Sequence, residues 1–308
     1  MGIVMQALRF AESLGKESGE EKKAVRRIRR QLFGEETYGT YWEEEIRGAL
    51  RGEAKEQERI GRKFYDFRMY GHARFWLAKA ASQGSAEAQY RLGLMLLKGL
   101  GGRKDAAAAG AMLRKAAGQG HEEALLQLGI MHYHGEGAEQ DYGIARACFE
   151  KIPARHISTS AVYLGMMRRE GKGVPQDCRM ARAHFAEAEK RGNARAAYWL
   201  GRMCENGEGA EADLNQARMW YEKAAVQGDP DAQRALASLY ERGLGVDQVA
   251  LAQAGYEKAF AGYRREAREG KAGAMRAMGE MLDEGQGVAR NKWLAERWRA
   301  AAEAAEKG

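Results

Sequence analysis

Few of the side chains able to do chemistry in this 308-residue chain stand at spacings that would let them act together. The nearest to a metal-binding arrangement is His132-Tyr133-His134. Residues two apart on a helix point about 200° away from each other, so the imidazoles share an ion only if the helix has already ended. No cysteine or carboxylate stands nearby at a diagnostic ligand spacing, and the pair reads as structural. Cys148, Cys178 and Cys204 lack a companion His and Asn in any arrangement that would activate a nucleophile. Recurrent Gly-x-Gly pairs have neither the Lys-Ser/Thr of a phosphate loop nor a strand ahead of them. Met95, Met131, Met167, Met203, Leu239 and Met281 share one register and read as core filler rather than a cofactor box. The expectation is no catalytic residue, no metal and no cofactor, and hence a protein that is not an enzyme.

The elements that carry these residues repeat. Gly-x-Gly pairs fall at Gly99/Gly101, Gly135/Gly137, Gly171/Gly173, Gly207/Gly209, Gly243/Gly245 and Gly285/Gly287, four steps of 36 residues and one of 42. A second column runs Gly93, Gly129, Gly165, Gly201, Ala237 and Gly279, and a third closes units at Gly84, Gly120, Gly192, Gly228 and Gly270, with His156 where a glycine is expected. Such a period means an array of supersecondary units. A glycine inside the first helix of each unit costs about 1 kcal/mol against alanine, which makes sense where a neighbouring helix passes too close for a side chain. The Gly-x-Gly pair ends that helix in the left-handed conformation. Asp105, Asp141, Asp177 and Asp213 then start the second helix, and Ala109, Ala145, Ala181, Ala217 and Ala295 let it approach its partner.

The consensus A-x-x-x-L-G-x-x-Y-x-x-G-x-G-V-x-x-D-x-x-x-A-x-x-W-Y-x-K-A-A-x-Q-G resembles the SLR (Sel-one-like repeat) family, a relative of tetratricopeptide repeats. Its closest match is Trp220-Tyr221-Glu222-Lys223-Ala224-Ala225-Val226-Gln227-Gly228. Cys148-Phe149 and His184-Phe185 depart from Trp-Tyr, and Leu96, His132, Arg168 and Cys204 replace the first-helix tyrosine. The resemblance implies an all-α, right-handed α/α superhelical solenoid of helix-turn-helix repeats. Six units span 85–308 and end in a polar C-terminal cap, a degenerate capping repeat occupies 48–84, and a helical leader covers 1–47. The second helix of the fifth unit is expected to be six residues longer, through Phe260 to Tyr263.

Composition fits one quasi-linear body. Three prolines and few β-branched runs argue against sheet, and a net charge of +7 is spread over alternating Arg and Glu that read as solvated faces. Some relatives staple each repeat with a regular cysteine pair; that pattern is absent here, so free thiols in a reducing compartment are expected. The N-terminus has Arg9 and Glu12 interrupting a short apolar run, and no stretch approaches about 20 apolar residues. A cytoplasmic location is the expectation, or a periplasmic or secreted one if an export signal has been removed. In the leader, Val25, Ile28 and Leu32 form an apolar stripe along the basic segment Lys22–Arg30 and just past its end. It reads as a terminal helix laid on the first repeats, the alternative being contact with nucleic acid or an anionic membrane.

The opposite stripe of each first helix lies three before, one after and four after its glycine, at about 100° per residue. It is assigned to the concave, partner-binding face. In order it reads Tyr90, Leu94, Leu97; Leu126, Ile130, Tyr133; Val162, Met166, Arg169; then, in a charged second half, Tyr198, Arg202, Glu205; Arg234, Ser238, Glu241; Arg276, Glu280, Asp283. Its first half is apolar where a soluble solenoid should be wet, as partner sites are. The expected function is a non-catalytic scaffold or adaptor that binds a protein or peptide along this face, as a monomer or weak dimer. Cover of the groove by residues 1–47 is a second reading of the stripe. The family resemblance implies bacterial interaction contexts, and a hydrolase related to penicillin-binding members is the remaining alternative, without a nucleophile–base pair to support it.

Overall fold

The computed structural model describes residues 25–28, 43–152, 157–243 and 246–307, and among these every regular element is a helix. They form two compact units, Met1–His156 and Ile157–Gly308. The division falls where the closing column of glycines lacks its glycine. In the first unit α1 (Glu43–Arg51) precedes three helix pairs: α2 (Ala54–Asp66) with α3 (Tyr70–Ser82), α4 (Ala86–Lys98) with α5 (Ala106–Gly118), and α6 (Glu122–His134) with α7 (Tyr142–Glu150). The second unit has four: α8 (Ile157–Glu170) with α9 (Cys178–Lys190), α10 (Ala194–Asn206) with α11 (Leu214–Val226), α12 (Pro230–Gly243) with α13 (Val246–Arg268), and α14 (Ala272–Glu284) with α15 (Lys292–Lys307). Within each unit the helices of a pair pack together, and the second packs on the first helix of the following pair. Each unit is thus a stretch of α/α solenoid.

Local signals set the helix ends. Asp105, Asp141, Asp177 and Asp213 each accept the amide three residues on at 2.8–2.9 Å, so all four are N-caps. A cap of this kind contributes about 1 kcal/mol. Gly207, at φ 69°, closes α10 in the left-handed conformation. Gly209 has an additional reason to lack a side chain: a Cβ there would lie 2.9 Å from the carbonyl carbon of Cys178, at the start of α9. The pair therefore ends one helix and lets the loop press on the preceding second helix. In the degenerate repeat the short α2–α3 connection does without glycine, and Arg68 itself adopts φ 57°.

The glycine inside each first helix faces a bulky residue of the second. A Cβ on Gly129, Gly165 or Gly201 would stand 2.7, 2.7 or 2.6 Å from the ring of Phe149, Phe185 or Tyr221. All three rings are buried. At the fifth unit, where the column holds Ala237, the small residue has moved to the other helix. Gly255 of α13 faces the Ala237 methyl, and a Cβ on it would come to 2.9 Å. Around these crossings the alanine column is fully buried and the methionines fill the space between helices, whereas Leu239 is only half-buried. Gln57, Gln89 and Gln233 each reach back eight residues, to the carbonyls of Ala49, Ala81 and Ala225, satisfying amides that would be costly to bury alone.

Other expectations meet the structure as follows. Helix α13 is 23 residues long against 13 for α9 and α11, so the fifth unit's second helix is lengthened as expected, but by ten residues rather than six. Both His132 and His134 lie on α6, which runs unbroken through them; His132 is buried with Nδ1 3.1 Å from the Glu139 carbonyl oxygen, and His134 is exposed. All three cysteines are free. No helix among the described residues is long and apolar enough to cross a membrane. Val25 and Ile28 share the first unit's core with Ile46, Ala49, Ile60 and Phe64, while Arg26 is exposed. This is the packing expected of a terminal helix laid on the first repeats. Leu32, Phe33, Tyr38, Tyr41 and Trp42, like Val4, Leu8, Leu14, His156 and Gly245, lie outside the described residues.

Gly165→Leu should destabilise the protein by about 3 kcal/mol, because side-chain bulk is driven into Phe185. Phe185→Ala in the same chain should recover part of that loss relative to the sum of the two single changes. Urea denaturation measures both, and an unchanged midpoint for Gly165→Leu would contradict the packing described.

Candidate functional site

The stripe assigned to partner binding is built by helix register. Positions five and one before the glycine, and two and three after it, are buried on α10 as Ala196, Leu200, Met203 and Cys204. The remaining stripe is in part buried and in part left between core and solvent. In the first unit Tyr90, Leu94, Leu126 and Ile130 are half-buried, whereas Leu97 and Tyr133 are buried. Tyr90 stacks on His121, ring centroids 4.6 Å apart. His121 in turn caps α6 through Nδ1 and meets Glu87 Oε2 at 3.0 Å through Nε2, a polar strap from α4 to the start of α6. Tyr133 packs edge-on to Tyr142. Leu94 and Ile130 are therefore the open apolar centre of the first unit's stripe, with Tyr90 and Leu126 beside them.

In the second unit the stripe is a polar network. Val162 and Tyr198 are buried, and Met166, Arg169 and Arg202 are half-buried. Arg169 makes a two-pronged pair with Glu208 at 2.5 and 2.8 Å, its guanidinium over the Trp199 ring at 5.0 Å. The Arg169 hydrogen bond holds the Glu208 carboxyl below its ordinary value. A recess of about 340 Å³ opens nearby, lined among others by Tyr198, Arg202, Glu205, Asp231, Tyr256 and Tyr263. Tyr221 gives its hydroxyl to Glu205 at 2.6 Å and Tyr263 its hydroxyl to Asp231 at 2.5 Å. Burial, reinforced by these carboxylates, pushes both phenols up and keeps them protonated donors. Arg242 pairs with Glu205 and Arg195 with Asp231. Arg234 reaches Glu280, Glu284 and Gln286.

The eleven stripe residues from Tyr90 to Arg202 thus fall into two groups, Tyr90 to Tyr133 in the first unit and Val162 to Arg202 in the second. Leu97, Tyr133, Val162 and Tyr198 give most of their surface to packing. Sequence reasoning missed Asp231, Tyr256 and Tyr263 as neighbours of Tyr198 and Arg202. The signal for the two tyrosines was the extra length of α13, which carries them seven residues apart and therefore on one face. A further groove of about 650 Å³ lies on the second helices, lined by Arg182, Ala186, Leu200, Met219, Trp220 and Lys223 among others. At its edge the Cys204 thiol donates to Gln216 Oε1 at 3.1 Å. Among the described residues no group of three or more metal-type ligands converges.

A family model described as Sel1 repeat matches residues 70–85, 86–121, 122–152, 158–193, 194–229, 230–260 and 272–305. The chain is similar in structure to a protective antigen of uropathogenic Escherichia coli strains that displays an SLR fold. That likeness has 25% identity and a TM-score of 0.58, and covers 98% of this chain and 76% of that one. It is also similar to a Sel1 repeat protein from Oxalobacter formigenes, with 26% identity and a TM-score of 0.58, covering 80% of this chain and 96% of that one. No protein of curated function matches it. The first family match starts at α3, so α1 and α2 lie ahead of it.

Glu208→Gln should cost about 1 kcal/mol at neutral pH, where the two-pronged pair with Arg169 is intact. Because the folded carboxyl titrates below its unfolded value, this stability is full above the ordinary carboxylate range and is lost as pH falls through the depressed folded value. Denaturation of both proteins from neutral pH to about pH 3 should therefore show the difference shrinking in acid. A difference that grows in acid would contradict the assigned pairing.

Proposed function

This chain belongs to the Sel1 repeat family, and from that premise we propose that it is a non-catalytic scaffold holding a protein or peptide against the first-helix faces of its repeats. Members of the family are typically protein–protein interaction scaffolds. The observation that carries the reading is the open apolar surface of Tyr90, Leu94, Leu126 and Ile130, on two consecutive first helices of one unit. These four side chains stay half-open, whereas Leu97 and Tyr133 at the same register are buried and the glycine, alanine and methionine positions fill the space between the helices. Apolar residues left half-open there favour a partner's apolar surface. The mixed Arg, Glu and Tyr surface of the second unit supports polar selection among partners rather than bulk adhesion. Burial of Val25 and Ile28 in the first unit's core supports a structural part for that turn of the leader over a membrane or nucleic-acid contact.

Leu94→Asp and Leu126→Asp should each change stability by about 1 kcal/mol or less, while reducing recovery of the partner captured by the immobilised chain from its native host. Tyr133→Asp is a different kind of change. It places a carboxylate at a position only 4% exposed and should destabilise by about 2 kcal/mol or more. Equal partner recovery by the wild-type chain and both leucine variants would sink the reading.

A further inference from the structure

We propose that the recess formed by α10, α12 and α13 in the second unit is a site for a single carboxylate carried on an apolar or aromatic stem, anchored by Arg202 and Tyr198. The proposal deepens the partner-binding reading, on which it rests, by giving the chemistry of one anchor point.

The acids of the recess are already engaged in its walls: Glu205 by Tyr221 and Arg242, Asp231 by Tyr263 and Arg195. Tyr256 gives its hydroxyl to Glu241 at 2.7 Å. Arg234 is occupied by Glu280, Glu284 and Gln286. Arg202 is different. It gives one N–H to the Tyr198 oxygen at 3.0 Å, and among the described residues no carboxylate lies within ion-pair distance of it. A guanidinium carries five N–H donors in a rigid fork, so most of this one remains unused. Because the Tyr198 oxygen accepts from Arg202, its own O–H is left with no acceptor among the described residues. Gln286 must turn its carbonyl to Arg234, which can only donate, and that frees its amide N–H₂.

Arg202, Tyr198 and Gln286 thus each leave a donor unused in the recess, and together they suit an acceptor brought by a ligand. A planar carboxylate matches the fork of Arg202 with two parallel bonds. The charges of Glu205 and Asp231 oppose a dianion such as a phosphate monoester far more than a monoanion. A volume of about 340 Å³ suits one residue's side chain rather than an extended segment. The rings of Tyr198, Tyr256 and Tyr263 provide the surface on which the stem would rest.

The test titrates the isotope-labelled full chain with N-acetyl-phenylalanine and with its amide, following the arginine side-chain resonances. The acid should shift the Arg202 signal saturably and bind at least about tenfold more tightly than the amide, the discrimination expected of a charge-assisted fork. Arg202→Gln should abolish the preference, Arg202→Lys should retain only part of it, and Tyr198→Phe should weaken acid binding several-fold. Should Arg202→Gln fail to fold, the Lys and Phe variants carry the test. A third probe, acetyl-Phe-Glu-Phe-amide, separates the sources. Tighter binding than N-acetyl-phenylalanine assigns the site to an acidic side chain within a partner, and weaker binding assigns it to a chain terminus. Equal binding of acid and amide, undiminished binding by Arg202→Gln, tighter binding of N-acetyl-phosphotyrosine amide, or no saturable shift up to about 10 mM would each overturn the proposal. The leucine substitutions in the first unit test the scaffold reading separately, so either can fail while the other stands.

Discussion

The rings of Phe149, Phe185 and Tyr221 rest on bare backbone, at Gly129, Gly165 and Gly201, and this contact sets the distance between the helices of a pair. A close crossing brings the alanine column of the second helix into the same buried layer and leaves a gap that methionine, with its flexible stem, fills. The cost of glycine in a helix is thereby offset by burial of a whole aromatic side chain, which contributes about 2 kcal/mol or more. At the fifth unit the same volume is kept by exchanging the small residue between helices, Ala237 against Gly255. What is maintained is the crossing distance rather than a residue at a fixed column.

Once that distance is fixed, the half-open positions of the first-helix stripe are free to vary in chemistry from unit to unit, because they take less part in packing than its buried members Leu97, Tyr133, Val162 and Tyr198. The first unit uses that freedom for aliphatic and aromatic side chains. The second uses it for arginine, tyrosine and carboxylates that link first helices one repeat apart, as Arg195 does with Asp231 and Arg169 with Glu208. Arg169, Glu208 and Asp231 are half-buried whereas Arg195 is exposed, so the Arg169–Glu208 pair is the less screened of the two, and each phenol bonded to a carboxylate stays protonated. Such a network is directional. It accepts a ligand that completes its unused donors and disfavours one that adds a second anion.

Much of this architecture was legible in the residues. The period, the helix ends at Asp213 and Gly207, the buried Met203 register and the lengthened α13 all depend on contacts within one repeat or between neighbours. The same short pattern therefore had to recur wherever those contacts did. The role of Gly209 was not legible, since its neighbour Cys178 belongs to the preceding unit and no local rule names it. Nor was the glutamine bracket of Gln57, Gln89 and Gln233, which occurs in some units and is replaced by apolar residues at Leu125, Ala161 and Ala197 in others.

The division for the candidate site follows the same physics. Helix periodicity placed Tyr90, Leu94, Leu126, Ile130, Tyr198 and Arg202 on one stripe, because direction around a helix is fixed by counting residues. How much of each side chain stays open is decided by what the neighbouring helices bring, and that closed Leu97, Tyr133, Val162 and Tyr198. The recess beside Arg202 depends on Asp231 from the next first helix and on Tyr256 and Tyr263 from a second helix more than 50 residues further along the chain. The sequence by itself determined the family of helices, their ends and their inward faces, since these are set by short-range sterics and periodic burial. Only the tertiary structure decided which acids were already neutralised and which donors were left over, because that account closes only when every neighbour is in place.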